Sequence, residues 1–280
     1  MPDRVTAHEG EARPGRRWAA GTGVGKRVRS RGKATAALTL SYLGVVVLLL
    51  GAWWALSRGL GLPALPDPVA SFRALGRAWG HGLAYHTAIS TWRVVSSLCL
   101  AAVTAVPAGM VLGQARVADR LAGPAIYLTY PVPKSVFLPV VMAVLGLGDV
   151  ARIFLVWLVV FFQVLVGTRD ASRSLSPQFL HSVHSLGASA RDVYRHVVWP
   201  AVLPAVFTSL RVGLGTAIAV LFLAETWASQ SGIGYFIMLA WTRLGWDEVM
   251  AGVLAMGALG MGLYLILDVL ERVSCPWRYV

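Results

Sequence analysis

Catalysis needs nucleophiles, acids or metal ligands that converge, and this chain is poor in them. The acidic residues in or beside its apolar stretches are Asp149, Asp170, Glu225, Asp268 and Glu271, and most fall at the ends of those stretches, where water reaches. No HExxH, CxxC or GxSxG pattern occurs. His181 and His184 stand three apart and would make half a metal site on a helix, but no further ligands accompany them, so they fit a solvated helix face better. Cys99 lies inside one apolar run and Cys275 beyond the last, which disfavours a disulfide, and two cysteines are too few ligands for a metal. GTGVGKR at 21–27 imitates a phosphate loop, yet Ala20 stands where the first glycine belongs and Arg27 where a Ser or Thr would hold magnesium. No catalytic residue, cofactor or metal site is therefore expected.

What remains is charge within apolar surroundings. A Lys or Arg at the centre of a membrane helix costs roughly 2.5–3.5 kcal/mol on insertion scales, so such residues have a reason to be there. Lys134, Arg211 and Glu225 are the three candidates. Lys134 and Arg211 can offer positive charge to an anionic solute, and Glu225 with Thr226 can bind or gate on the far side. The alternative is that all three snorkel to an interface, which their nearness to the ends of the apolar runs favours.

The elements that carry these residues follow from composition. Hydrophobic residues make up 56% of the 280, charged residues 14%, and the mean hydropathy is +0.64, so the natural solvent of the chain is lipid. About 20 apolar residues cross a bilayer as helix. Six stretches qualify: about Ala37–Ser57, Ser90–Gly113, Leu121–Leu147, Val150–Thr168, Ala205–Glu225 and Val249–Leu270. Their continuous Leu/Val/Ala runs do not alternate as barrel strands would, so an all-α integral membrane protein is expected. Prolines at 131 and 133 cannot both sit inside one helix and predict a break in the third span near Tyr130–Pro133. That break either lines a cavity at membrane depth or is a turn that starts the span at Lys134.

Lys and Arg in the loops set the orientation. Basic residues crowd the stretch before the first span, recur at Arg116, Arg120, Arg169, Arg173, Arg191 and Arg195, and end with Arg272 and Arg278; the other side holds only Arg58, Arg73, Arg77, Arg152 and Arg243, with Arg93 at a helix edge. Both termini are thus expected in the cytoplasm, with residues 1–33 as a disordered basic tail and 34–280 as the membrane domain, its core at about 88–272. The net charge of +12 is accounted for by topology and anionic lipid, and nucleic acid is not an expected partner. Between the first two spans, Pro63, Pro66 and Pro68 precede a short helical pattern, Val69–Trp79, read as an external interfacial helix.

HSVHSLGASARDVYRHVVWPAVLP, residues 181–204, differs from everything around it: three His, two Arg and one Asp between long apolar runs. Helix propensity through Ala188–Val198, an entry at Leu186-Gly187 and a stop at Pro200 predict a short cytoplasmic rod that fits a groove in a soluble partner. Here the chain resembles the type I ABC importer permeases, and within them the nitrate/sulfonate/taurine group. Gly187-Ala188-Ser189, Val193, Arg195, Val197-Val198 and Pro200 to Pro204 are similar to that family's cytoplasmic signature loop. Leu65-Pro66-Asp67-Pro68, PVPKSVFLP (131–139), GLGD (146–149), LRVGLGTAIAVLFLAET (210–226), SGIGYFIM (231–238) and LERVSCPWR (270–278) extend the resemblance to about Pro63–Arg278. The family's loop begins Glu-Ala-Ala where this chain has His181-Ser182-Val183, which removes a negative charge expected at the subunit contact; His184 or Arg191 then become candidates to meet acids on a matching partner.

The resemblance implies a permease subunit of the cell inner membrane without its own ATPase site. It implies separate ABC ATPase subunits docked on residues 181–200, a second copy of the chain around a twofold axis, a periplasmic or lipid-anchored substrate-binding protein, and a small anionic solute. The competing expectation is an ion-gradient-driven secondary transporter with Glu225 or Asp268 as coupling acid. That reading requires these carboxylates to be buried in the bundle, and inverted repeats are not apparent in the sequence.

Overall fold

A computed structural model of the chain describes the backbone of residues 23–278, and side chains from residue 40 onward apart from those of Phe179, His181 and His184. Residues 1–22 of the expected tail lie outside the described residues; α1 (Gly23–Leu60) begins within the remainder of it. The chain divides into two units, Met1–Ala55 and Leu56–Val280. The first holds most of the apolar span Leu40–Leu60 of α1, with Leu40, Val47, Leu48 and Leu49 all exposed, as suits a surface whose solvent is lipid.

The second unit starts with α2 (Pro68–Ala78), where the Asp67 carboxylate accepts the Ala70 N–H at 2.8 Å and Pro68 takes the first helical position, which needs no N–H donor. A break at His81-Gly82, with Gly82 at φ +108°, turns the chain into α3 (Ala84–Gln114). The expected interruption of the third span is present: α4 (Arg116–Thr129) and a 3₁₀ turn (Lys134–Phe137) leading into α5 (Leu138–Leu145) meet at 79° across Tyr130–Pro133. α6 (Asp149–Arg173) crosses back, and a helical hairpin follows, with α7 (Pro177–Ser185) and α8 (Ala190–Val193). α9 (Trp199–Thr226), the short α10 (Ile233–Thr242) and α11 (Trp246–Ser274) complete the chain. Among the described residues, five helices are long and apolar enough to span, six with the bent pair counted as one. The expected spans are all met, and α10 is an addition.

α3, α6 and α9 form the centre. Val94, Ala101 and Ala105 meet Leu155, Val156, Val160 and Val164, and Val202, Leu214, Ala217 and Leu221 close the third side; all of these are buried. Lipid tails are as apolar as leucine, so membrane helices associate by close packing of small residues rather than by the hydrophobic effect. A Cβ at Gly109 would stand 2.7 Å from Thr168 Cβ and 2.8 Å from the Leu165 carbonyl, and one at Gly113 would overlap Ser172. These two glycines let α3 and α6 approach backbone to backbone.

One expected boundary is corrected. Pro200 does not stop a helix, because Ala190–Thr226 is continuous. Tyr194–Val198 forms a single π-helical turn in which the Trp199 N–H reaches back five residues to the Tyr194 carbonyl. The wider turn precedes a residue that has no N–H to give and whose ring would collide with the carbonyl four back in regular α geometry. Proline is accommodated at the mouth of α9, and the separate rod lies earlier, at α7.

Candidate functional site

Two regions concentrate the singled-out residues, one at each end of the bundle. The first is the hairpin between α6 and α9. α7 carries His181, Ser182 and Val183; Leu186-Gly187 makes the turn, with Gly187 at φ +88°, a conformation other residues adopt only with strain. Ser189 then caps the next helix: its hydroxyl and the Asp192 carboxylate exchange hydrogen bonds with each other's backbone N–H in a capping box. Val183 and Ala188 pack on the core and Val193 is buried, which anchors the inner face. Ser182, Leu186, Arg191 and Arg195 face outward, and Leu186 is 88% exposed. An apolar tip on a hairpin braced from within, with open space around Gly187, is a surface shaped for a partner. The helix expected over Ala188–Val198 is present from Ala190, but it runs on through Pro200 and Pro204 into α9, and α7 with the Leu186-Gly187 turn is the piece that stands apart.

At the opposite end, α3, α6 and α9 converge on a buried ion pair. Arg93, 1% exposed, donates from Nη1 to Glu225 at 2.7 Å and to the Ser231 carbonyl at 2.9 Å, and from Nη2 to Asp149 at 2.6 Å and Ser231 Oγ at 2.9 Å. Glu225 is fully buried; the Ser90 hydroxyl lies 2.8 and 2.9 Å from its two oxygens, and the Gly234 N–H donates to it at 2.9 Å. Ser90 in turn accepts the Ile233 N–H. Arg152, 2% exposed, donates to the carbonyls of Leu147, Gly148, Ala224 and Ala228, tying the turn before α6 to the end of α9. A Cβ at Gly232, where φ is +107°, would overlap the Glu225 carboxylate, and one at Gly234 would stand 2.7 Å from Glu225 Cβ. The GLGD and SGIG segments therefore supply an acid, carbonyls and backbone clearance to one site.

This geometry corrects three expectations. Glu225 does not snorkel: it is neutralised inside the bundle, and water does not reach it. Thr226 does not join it, since its hydroxyl turns back to the Leu223 carbonyl at 2.8 Å. Arg211 is likewise held, 3.4 Å from Asp268 and 2.5 Å from the fully buried Glu271, which also pairs with Arg278. A cation engaged by two acids has little charge to offer a passing anion. Lys134 differs: its ammonium donates to the carbonyls of Thr129 and Tyr130 at 2.8 and 2.6 Å, so it caps the end of α4 at the break, and it lies 4.7 Å from the Phe162 ring centroid. No carboxylate is paired with it among the described residues.

Arg93 and Arg152 were not expected here, having been placed at a helix edge and on the outer side. Their signal was a polar stripe, Ser90, Arg93 and Ser97, on one face of an otherwise apolar helix, and an arginine one turn after Asp149. Among the described residues no group of three or more His, Cys, Asp or Glu is placed to hold a metal. Cys275 is buried, and burial together with the Glu271 charge pushes its thiol up, away from the reactive thiolate.

A bundle of membrane helices, closed by ion pairs at one end and presenting a partner-shaped hairpin at the other, is the form of a transport subunit. Residues 105–277 match the model of the binding-protein-dependent transport system inner membrane component family, and the chain belongs to that family. It is 29% identical over 261 residues to the taurine transport system permease protein of Escherichia coli, covering 90% of this chain and 94% of that one. It is 34% identical over 194 residues to a putative ABC transporter permease protein of Methanocaldococcus jannaschii (69% and 73%), and 24% identical over 254 residues to the nitrate import permease protein of Synechococcus elongatus (85% and 90%). The chain is thus the transmembrane component of an ABC importer of the inner membrane, working with ATPase and binding-protein partners.

Proposed function

We propose that the chain forms half of a translocation pathway for a small sulfonate- or nitrate-like anion, paired with an identical copy, with α7 and both termini on the cytoplasmic side. The relatives' printed substrates, taurine, aliphatic sulfonates and nitrate, support the solute class. The basic residues around the hairpin, Arg116, Arg120, Arg169, Arg173, Arg191 and Arg195, support the orientation. The observation that carries the reading is the α7 hairpin, with Leu186 bare at its tip and Gly187 open, as the dock of the ATPase. His181 stands where an acid is the family's pattern, so the groove that receives it is expected to lack a matching base. Lys134 is the one pathway candidate retained, because its charge is held at the broken span without an acid beside it.

The secondary-transporter reading set burial of Glu225 as its requirement, and Glu225 is buried. An acid that carries ions must also load and release them, and this one is locked to Arg93, Ser90 and the Gly234 N–H. Family membership points the same way. The test is solute-stimulated ATP hydrolysis by the complex reconstituted from the chain, its ATPase and its binding protein. Leu186→Asp and Gly187→Trp should each abolish stimulation while the chain still inserts in the membrane; full stimulation in both would remove α7 as the dock.

A further inference from the structure

A cavity of about 640 Å³ opens between the end of α3, the first turns of α4, the end of α6 and the start of α7. Arg116, Arg120 and Arg173 line it, with Asp119 as the only acid. That acid is already engaged: Arg169 donates to one of its oxygens at 2.5 Å and Arg173 meets the other at 3.2 Å. Arg116 and Arg120 are exposed and have no acidic partner among the described residues, so the cavity carries two uncompensated positive charges. Beside it, α4 continues as an apolar strip, with Val117 74%, Leu121 76% and Leu128 71% exposed along the same helix. Cationic walls one turn from a bare hydrocarbon-facing strip match a ligand with a phosphate at one end and acyl chains at the other.

We propose that this cavity binds the headgroup of an anionic phospholipid, with Arg116 and Arg120 on the phosphate and the acyl chains along Val117 and Leu121. Basic pockets between membrane helices at the headgroup level select acidic lipids in this way. Pro177 and Leu180 of α7 line the same cavity, so the bound lipid braces the base of the hairpin. The site stands whether or not α7 is the ATPase dock, since its argument is local charge and exposure.

The test is native mass spectrometry of the full-length chain, delipidated in detergent and titrated with phosphatidylglycerol, with phosphatidylcholine, and with inorganic phosphate as competitor. Phosphatidylglycerol should be retained and phosphatidylcholine not. The Arg116→Gln/Arg120→Gln variant should retain phosphatidylglycerol about 30-fold less tightly, from the attraction of two basic side chains to an acidic headgroup, and Arg116→Lys/Arg120→Lys should restore most of it. The lysine variant also shows that the helices still assemble. Equal retention by wild type and the glutamine variant overturns the site. Displacement of the lipid by millimolar phosphate overturns the lipid as occupant and makes the cavity a soluble-anion site. Loss of the lipid once the ATPase binds gives the arginines to acids of that subunit instead, and also overturns it.

Discussion

Glu225→Gln keeps the size and shape of the side chain and deletes its charge. In the folded chain the carboxylate is fully buried and takes donors from Arg93 at 2.7 Å, Ser90 at 2.8 Å and the Gly234 N–H at 2.9 Å. Asp149, the other acid on Arg93, is 45% exposed. Breaking a buried pair strands the remaining charge and costs about 3–5 kcal/mol, whereas an ion pair open to water contributes about 0–1 kcal/mol. Arg93 keeps Asp149 in the variant, which offsets part of the loss, so Glu225→Gln should cost about 3 kcal/mol and Asp149→Asn under about 1 kcal/mol. The measurement is equilibrium unfolding of the full-length chain in mixed micelles, followed by the fluorescence of its 11 tryptophans. A double-mutant cycle with Arg93→Met removes both charges together, and the pair should then lose less than the sum of the singles by more than about 1 kcal/mol. Strict additivity, or equal losses for Glu225→Gln and Asp149→Asn, would refute the buried pair as a structural clamp.

Gly232→Ala should destabilise the same clamp by about 3 kcal/mol or more, since the new methyl strikes the Glu225 carboxylate at a left-handed φ; Gly187→Ala, also at positive φ but in open space, should lose only about 1–2 kcal/mol in the same unfolding assay. Gly113→Val should force α3 away from Ser172 and lower the yield of folded chain in detergent, with Gly215→Val, which meets open space, as the unaffected control. Lys134→Met should raise the KM for uptake of the anion about tenfold in reconstituted vesicles, with Lys134→Arg recovering most of it, the loss of one charge-assisted hydrogen bond; an unchanged KM would take Lys134 out of the pathway.

The spans and the broken third helix were legible because hydropathy and proline act over a few residues. The clamp was not, because its partners are 132 and 56 residues apart in the chain, Arg93 with Glu225 and with Asp149. Hydropathy placed each of them at a span end, and nothing local to any one says that they meet. The rod was legible as a polar interruption and its helix is present from Ala190, but its end was misplaced, since Pro200 was taken to stop a helix under regular α geometry, and the π turn at Tyr194–Val198 removes that constraint. The glycines of SGIG mattered for what they leave empty, which no pattern of side chains displays.

The correction at Pro200 changes how the two sites are joined. With a stop there, motion of the hairpin would have to pass through a loop before reaching the bundle, and loops absorb displacement. The continuous helix Ala190–Thr226 instead spans 37 residues, about 55 Å at 1.5 Å per residue, with the Ser189 cap at one end and Glu225 in its last turn at the other. Its irregular positions, the π turn at Tyr194–Val198 and Pro204, both lie toward the hairpin end, so bending is concentrated there and the stretch beyond them is regular α-helix. Under the proposed docking, a push on the hairpin passes the short Gly187–Ser189 turn and then reaches the Arg93–Glu225 pair along the helix. Opening the far end of the bundle has to displace that pair or carry it along, and the double-mutant cycle measures the interaction that a displacement would break.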